Sequence, residues 1–474
     1  MRGKNISKEL QRAKYVLMDF IMTSLAFLIF NCFRYYMLEI ESSYINLSSF
    51  IFSNKLLIEQ ATVPIGLLAL FWLSGYYNHP FRKSRLVEFT TTLSSTLTAT
   101  LLIFFSLLIN DTTGVKLKDY ELLLVLFFLL ALFTYIGRRI ITRRTLRHLR
   151  KRSWIYSTLI IGNSTKSRKI YNKLQNSGSV WAYNVVGFVR LDGEKNIEDD
   201  CRVWEWDEIE DVIASQNIDQ IVLAPENIRD SELMGILKRL FPLNCPVKIA
   251  PDTLSYITGS IRLDDIHGIP FIDLTSPRIS EFQKNAKRSI DVCFSLIAGI
   301  LLSPILIIIA LAVKFTSPGP VIFKQERIGH GRRPFNIYKF RSMHQNAEKN
   351  GPQLSHENDN RTTALGKIMR KYRIDELPQL WNIIKGDMSL VGPRPERAYF
   401  IDKIVKRAPY YGLIFQVRPG LTSWGMVKHG YASNVDEMVA RARYDLLYLN
   451  NMSLITDFKI MIHTVNTILN GSGM

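Results

Sequence analysis

"SIDVCFSLIAGILLSPILIIIALAVKF", residues 289–315, is long and apolar enough to cross a bilayer, yet its surroundings argue against crossing. Lys284, Lys287 and Arg288 stand before it, and Lys314, Lys324, Arg327, Arg332 and Arg333 crowd its other end, so neither flank has the character of an external loop. Ser303-Pro304 lies in the middle. Pro304 cannot donate to the Ile300 carbonyl and clashes with it. A serine beside such a break can hydrogen-bond the freed backbone. Two halves of about 13 and 10 residues, at 1.5 Å per residue, reach roughly 20 and 15 Å. Neither half crosses a ~30 Å hydrocarbon core. A re-entrant helix that dips in and turns back satisfies both charge and break; the alternative is a proline-kinked spanning helix.

Working outward, four more apolar stretches fill the first third, at about 15–38, 61–77, 90–109 and 120–136, the second beginning nearer Ile51. Basic residues precede the first, lie between the second and third (Arg82, Lys83, Arg85), and follow the fourth as "GRRIITRRTLRHLRKR". The two intervening loops are poor in Lys and Arg, which predicts a four-helix transmembrane bundle over residues 1–150 with both ends cytoplasmic. The arginine run reads as a headgroup anchor. No small-residue cleavage site follows the first apolar stretch, so it is expected to be an uncleaved span. The chain has 474 residues, 47% of them hydrophobic, and a formal charge of +18; two to four domains are expected. Its basic residues cluster beside apolar segments, which favours a membrane over nucleic acid as partner. Cys32, Cys201, Cys245 and Cys293 are scattered, so neither a zinc site nor a disulfide framework is expected.

Residues 151–275 alternate strand and helix patterns: "WIYSTLIIGNS", "TKSRKIYNKLQNSG" stopped by Gly178, "AYNVVGFVRLD", "WDEIEDVIASQN", "IDQIVLAPE", "SELMGILKRLF" and "PVKIAPD". This is the order of a doubly wound, Rossmann-like parallel sheet. After its first strand, "GNSTKS" keeps only Gly162 of the glycines that cradle a dinucleotide pyrophosphate. The nucleotide site is therefore read as degenerate, and tight NAD or NADP binding is not expected.

Residues 280–474 carry the chemistry. "SPGPVIFKQERIGHGRRPFNIYKFRSM" reads as two strands joined by a glycine-rich turn, followed by a polar loop and the basic helix "ALGKIMRKY". Next comes "KYRIDELPQLWN", which sets Asp375 and Glu376 among cations. Asp before a helix is a good N-cap, and an acidic first turn suits the macrodipole. Lys339, Arg341, Arg370, Arg394 and Arg418 are the candidate phosphate-binding cations; Arg394 and Arg418 adjoin prolines in rigid turns, which suits bidentate contacts. An Asp is already ionised at neutral pH and needs no general base to act as nucleophile. Its obstacle is repulsion, roughly 4 kcal/mol between two unit anions 4 Å apart at an effective dielectric near 20. Mg²⁺ and arginines are the usual remedy in phosphoryl transfer. Adjacent residues diverge by about 100° on a helix, so Asp375 and Glu376 are expected to hold separate roles.

Ser303-Pro304, "YKFRSM", "DELPQLWNIIKGDMSLVGPRP" and "RPGLT" together resemble the bacterial sugar transferase family, the monotopic polyprenyl-phosphate hexose-1-phosphate transferases, over some 190 residues. The four spans and Rossmann-like domain ahead of them are similar to its long form, of the undecaprenyl-phosphate galactose phosphotransferase type. The resemblance implies a mixed α/β membrane protein whose C-terminal α/β catalytic domain carries the re-entrant helix, at the cytoplasmic face of a bacterial inner membrane. It implies Asp375 as nucleophile on a UDP-sugar, Glu376 as its partner, and Mg²⁺ held near both. UMP would leave, and the phospho-sugar would pass to polyprenyl phosphate to begin glycan assembly. It further implies Lys339, Arg370 and Arg394 as phosphate-handling cations, Ser303-Pro304 as the re-entrant break, and a homodimer. "RPGLTSWGMVKHG" departs from the usual R-P-G-[IL]-T-G-x-A-Q-[VI]-N-G at Ser423, Gly425, Met426 and Lys428, where sugar and base preference is expected to differ. Two other readings stand beside this one: a glycosyltransferase moving the sugar alone, and a non-catalytic membrane scaffold.

Overall fold

The computed structural model describes the chain apart from residues 1, 38–43, 82, 84, 109–116, 151–155, 177–182, 192–200, 227–228, 244, 251–270, 275–278, 345–346, 348–350, 352, 355–358, 431 and 470–474. Gly178, Arg82 and much of the polar loop after His344 thus lie outside the described residues. The chain forms two compact units, residues 1–155 with 178–182, and residues 156–177 with 183–474.

The first unit is helical: α1 (Arg2–Met37), the short α2 (Leu47–Ile51), α3 (Asn54–Leu73), α4 (Arg85–Ile103) and α5 (Leu117–Arg150). Candidate membrane spans run over Glu9–Met37, Asn54–Leu73, Arg85–Ser106 and Tyr120–Arg147, so the second begins before Ala61 and ends before Tyr76. Phe27, Phe30, Leu67, Phe71, Leu122, Leu126 and Leu130 interlock as its apolar core. Helix α4 is rich in Ser and Thr; the hydroxyls of Thr92, Thr96 and Thr100 bond the carbonyls four residues back, at 2.6, 2.7 and 2.8 Å, which satisfies them without water.

A polar layer ties α1, α4 and α5 to the turn after α3. Arg138 is wholly buried; its Nη2 and Nε meet the Asp19 carboxylate at 2.8 and 3.0 Å, and its Nη1 donates to Thr92 Oγ1 at 2.9 Å. Tyr77 donates to Asp19 at 2.8 Å, and Tyr76 to Glu88 at 2.9 Å. The Arg138 guanidinium lies 3.6 Å from the Tyr76 ring centroid.

The second unit opens with a six-stranded sheet of order β3-β2-β1-β4-β5-β6. Its strands are β1 (Tyr156–Ile161), β2 (Tyr183–Arg190), β3 (Val203–Glu205), β4 (Gln220–Leu223), β5 (Val247–Ile249) and β6 (Ile272–Asp273). The first five are parallel, and β6 is antiparallel to β5. Helices α6 (Thr165–Asn176), α7 (Ile209–Ser215) and α8 (Asp230–Leu240) connect them. Leu159, Ile161, Ile221 and Leu223 enter one core, Ile160 and Val222 another, as strands buried on both faces require. Gly162 has φ 111°, and a Cβ there would lie 2.9 Å from the Ala224 carbonyl, so close packing alone accounts for this glycine. The short edge strands β3 and β6 had no sequence reading; with two or three residues each, they carry too little pattern.

The remainder begins with one long helix, α9 (Glu281–Thr316), followed by the hairpin β7 (Ile322–Ile328) and β8 (Pro334–Phe340), then α10 (Ala364–Lys371) and α11 (Gln379–Lys385). Strand β9 (Ser389–Val391), α12 (Ala398–Arg407), β10 (Gly420–Thr422), α13 (Trp424–His429), α14 (Val435–Asn450) and α15 (Leu454–Leu469) complete it. Parallel β9 and β10 sit against a core of Ile383, Met388, Ile404, Ile414, Tyr448 and Ile460. Gln416 donates to the Leu274 carbonyl at 3.0 Å and Leu413 joins the six-stranded sheet's core, so both parts of this unit share an interface.

Helix α9 does not end at Ser303-Pro304. It runs through Pro304 as one element, and the Ile300 carbonyl, deprived of its amide donor, accepts Ser303 Oγ at 2.8 Å. Only 6% of its most apolar window is buried. Both of its ends are gripped by the fold that follows it. Near the start, Lys287 donates to the Val391 carbonyl at 2.9 Å and Arg288 to the Ile383 carbonyl at 2.7 Å, while Asp291 accepts from Leu390 N at 3.0 Å. At the other end, Arg341 donates to the carbonyls of Ser317 and Pro320, each at 2.6 Å.

The Arg138–Asp19 pair yields a stability prediction. Arg138→Met leaves Asp19 charged and buried without its partner, which costs about 3–5 kcal/mol. Thermal unfolding of the purified full chain should show a large drop for Arg138→Met and recovery in Asp19→Leu/Arg138→Met. No difference between the single and double variants would mean that the pair does not organise this layer.

Candidate active site

Close packing puts the acidic pair in place. Thr363 caps α10 by accepting from Gly366 N at 2.9 Å, and a Cβ on Gly366 would fall 2.0 Å from the Ser342 carbonyl. Helix α10 therefore lies directly on the chain leaving β8, where Arg370 Nε donates to Ser342 Oγ at 2.9 Å. Arg373 then adopts φ 53°, the left-handed region that non-glycine residues rarely occupy. This bend leads into a single 3-10 turn, Ile374–Glu376, ahead of α11. Asp375 makes no capping bond here, and Pro378 occupies the N-cap of α11 without a side-chain bond, so helix capping does not account for the pair.

The two carboxylates have different surroundings. Glu376 is held by Lys339 at 2.6 Å, Arg373 at 3.5 Å and Arg394 at 3.7 Å. Burial opposes its charge, but Lys339, Arg394 and Arg373 outweigh it and hold its carboxyl well below the usual range. Asp375, also buried, lines a cavity of about 570 Å³. Among the described residues, no hydrogen bond or ion pair engages its carboxylate. Burial first, then the neighbouring Glu376 charge, push its carboxyl above the ordinary Asp value, against the pull of Lys339, Arg370 and Arg373.

The structure thus gathers Asp375, Lys339, Arg370 and Arg394 on one cavity wall, with Glu376 just behind. Arg370 Nη1 is buried there without a hydrogen-bond partner. Arg341 also touches the cavity, but its guanidinium is spent on the carbonyls at the end of α9. Arg418 lies elsewhere and donates to the Gly386 carbonyl at 2.9 Å, closing α11. Ser303 and Pro304 belong to the exposed stretch of α9.

Sequence reasoning missed a second charged group in this cavity. Arg327 reaches Glu396 at 3.2 Å, and Arg441 reaches the other Glu396 oxygen at 2.6 Å. Burial pulls the Arg327 guanidinium down to about 10. Glu396 directly follows the quoted "LVGPRP" and could have been singled out; Arg441 carries no motif that marks it.

Among the described residues, no three His, Cys, Asp or Glu side chains form a metal-ligand cluster. With Glu376 engaged by three cations, Asp375 is the open carboxylate of the pair. A Mg²⁺ that completes its shell with substrate phosphates and water fits this donor set, since Mg²⁺ commonly takes only one or two protein carboxylates.

Comparison with known proteins places the chain among relatives. The profile of the bacterial sugar transferase family matches residues 282–471, and one described as a CoA-binding domain matches residues 73–251. The chain is 41% identical over 251 residues to the UDP-N-acetylgalactosamine-undecaprenyl-phosphate N-acetylgalactosaminephosphotransferase of Aeromonas hydrophila, covering 52% of this chain and 59% of that one. It is 30% identical over 358 residues to the UDP-glucose:undecaprenyl-phosphate glucose-1-phosphate transferase of Xanthomonas campestris pv. campestris, covering 73% of each. It is 28% identical over 431 residues to the galactosyl transferase CpsE of Streptococcus agalactiae serotype III (strain NEM316), covering 85% of this chain and 91% of that one. The chain belongs to the bacterial sugar transferase family, and it is a membrane protein. It spans little more than half the length of the first curated relatives it matches, 59% and 56%.

The opposed surroundings of the two carboxylates predict a pH effect. If Asp375 acts as an ionised group, its raised carboxyl makes activity fall on acidification at a higher pH than for an ordinary Asp. Glu376→Gln removes the charge that pushes Asp375 up and frees three cations to act on it, so the acid limb of the rate profile should move to lower pH even as the rate falls. Arg370→Gln should move it to higher pH. Opposite displacements in pH–rate profiles would overturn the assignment.

Proposed function

We propose that the protein transfers a sugar-1-phosphate from a UDP-sugar to polyprenyl phosphate, initiating polysaccharide or glycoconjugate assembly. The observation that carries this reading is the open Asp375 carboxylate on a cation-lined cavity wall, in a chain whose relatives are named for undecaprenyl-phosphate sugar-phosphate transfer. Asp375 Oδ attacks the sugar-bearing phosphorus of the UDP-sugar. The bond from that phosphorus to the bridging oxygen breaks, UMP departs with the oxygen, and an aspartyl phospho-sugar remains. A phosphate oxygen of the polyprenyl acceptor then attacks the same phosphorus, regenerating Asp375 and forming a lipid diphosphate sugar. Both nucleophiles are anions, so neither step needs a general base.

Arg370, with Nη1 unpartnered, and Arg394 are placed to bind phosphate oxygens, while Lys339 acts chiefly by fixing Glu376. Glu376 in turn holds the cations in register. Arg341 and Arg418 serve the scaffold through their carbonyl bonds. Mg²⁺, held by Asp375 and the substrate diphosphate, would neutralise phosphate charge.

The topological part of the proposal is a bundle of four spanning helices with the catalytic domain at the cytoplasmic face of a bacterial inner membrane, α9 entering and leaving on that side. Support comes from the anchoring of both ends of α9 to one folded body while its apolar middle stays exposed. In a cysteine-depleted chain, impermeant thiol reagents applied to intact cells should label neither Lys284→Cys nor Thr316→Cys. Labelling of one alone would show that α9 crosses.

Asp375→Asn should lose at least ~10³-fold in rate while remaining folded. Incubation with a UDP-sugar alone should release UMP and add one sugar-phosphate to the peptide carrying Asp375. Release of UDP instead would favour transfer of the sugar alone. Normal turnover by Asp375→Asn, or an adduct elsewhere, would refute the mechanism.

A further inference from the structure

A second, smaller hollow of about 200 Å³ lies in the helical unit, lined by Arg85, Arg139, Arg143, Leu146 and Arg147. Arg139, Arg143 and Arg147 recur at a spacing of four and share a face of α5, and Arg85 opens the neighbouring α4. Arg139 is half-buried, with a side chain 15% exposed and a buried Nη1 that has no hydrogen-bond partner. The carboxylate oxygen nearest that nitrogen, Glu88 Oε2, is 3.8 Å away, while Glu88 Oε1 accepts from Tyr76 and Thr142. Four arginines thus line one concavity, and the Glu88 carboxylate pairs with only one of them, Arg139, at 3.8 Å. Like charges so placed repel, and a buried donor without a partner is costly. A shared anion relieves both.

We propose that this hollow is a discrete site for the phosphate monoester headgroup of a membrane lipid. Phosphate follows from the planar donor forks of several arginines lining one hollow. A monoester follows from charge, since it carries nearly two negative charges at neutral pH, where a diester carries one. A lipid follows from position. The hollow sits where the candidate spans Arg85–Ser106 and Tyr120–Arg147 end, at the level of headgroups. Beside it, Leu86, Phe89 and Ile140 are exposed and offer apolar surface to an acyl or prenyl chain. Arg144, in the same basic run, is exposed but does not line the hollow, which separates a formed site from a general electrostatic belt.

The test uses the full chain in detergent, with native mass spectrometry during titration by phosphatidic acid, phosphatidylglycerol and phosphatidylcholine. One phosphatidic acid per chain should be retained in preference to the other two. Arg143→Gln/Arg147→Gln, both at exposed positions, should weaken that retention about thirty-fold, the effect of two cations near a charged surface. Arg144→Gln should leave it unchanged. Equal retention of phosphatidic acid and phosphatidylglycerol, or equal weakening by Arg144→Gln, would reduce the site to a diffuse belt and overturn the proposal. Displacement of the lipid by an equal concentration of inorganic phosphate would make the ligand a soluble anion and overturn it too.

Discussion

A carboxylate stays ionised out of water only where cations stand against it, and the cluster around Glu376 meets that condition from three directions. Lys339 comes from β8, Arg373 from the left-handed bend after α10, and Arg394 from the turn after β9. One buried charge therefore pins three separate segments to a common point. Remove it, and three cations are left together in a site that no longer balances them. The strained backbone at Arg373 is tolerable for the same reason, because the side chain it delivers reaches Glu376. With Glu376 saturated, Asp375 next to it is left without a partner and free to face the cavity.

That division decides what two adjacent carboxylates can do. A pair sharing one proton would need both groups in one environment. Here burial acts on both, but cations dominate at Glu376 and do not at Asp375, so the two carboxyls shift in opposite directions. The same logic governs Glu396, which also lines the cavity and lies between Arg327 and Arg441. Arg394 contacts Met426 Sδ at 3.4 Å, at one of the positions where this chain departs from its family's usual loop. Close by, Gly425 admits no side chain, because a Cβ would stand 2.7 Å from the Arg441 carbonyl.

Much of this was legible in sequence because its signals are local. The β7–β8 hairpin shows in a glycine-rich turn between apolar runs, the parallel sheet in alternating strand and helix patterns, and the site in the density of cations around Asp375 and Glu376. What was not legible depends on partners distant in the chain. Arg341 looks like any phosphate-binding arginine until the end of α9, some two dozen residues earlier, is brought to it. Arg418 looks the same until α11 places the Gly386 carbonyl beside it. The Asp19–Arg138 pair joins residues 119 positions apart inside segments whose mean character is apolar, and no window-based reading connects them.

The arginines of this protein therefore divide by the kind of acceptor that the fold brings to them. Backbone carbonyls at helix ends claim Arg288, Arg341 and Arg418; buried carboxylates claim Arg138, Arg327 and Arg441. Among the described residues, buried guanidinium nitrogens without a hydrogen-bond partner include Arg370 Nη1 and Arg327 Nε, on residues lining the larger cavity, and Arg139 Nη1, on one lining the smaller. A formal charge of +18 is thus a poor guide to anion binding in itself. Most of the guanidinium groups described above are internal fasteners. Arg370 shares its cavity with the open Asp375, and Arg139 lines the hollow beside the ends of two candidate membrane spans.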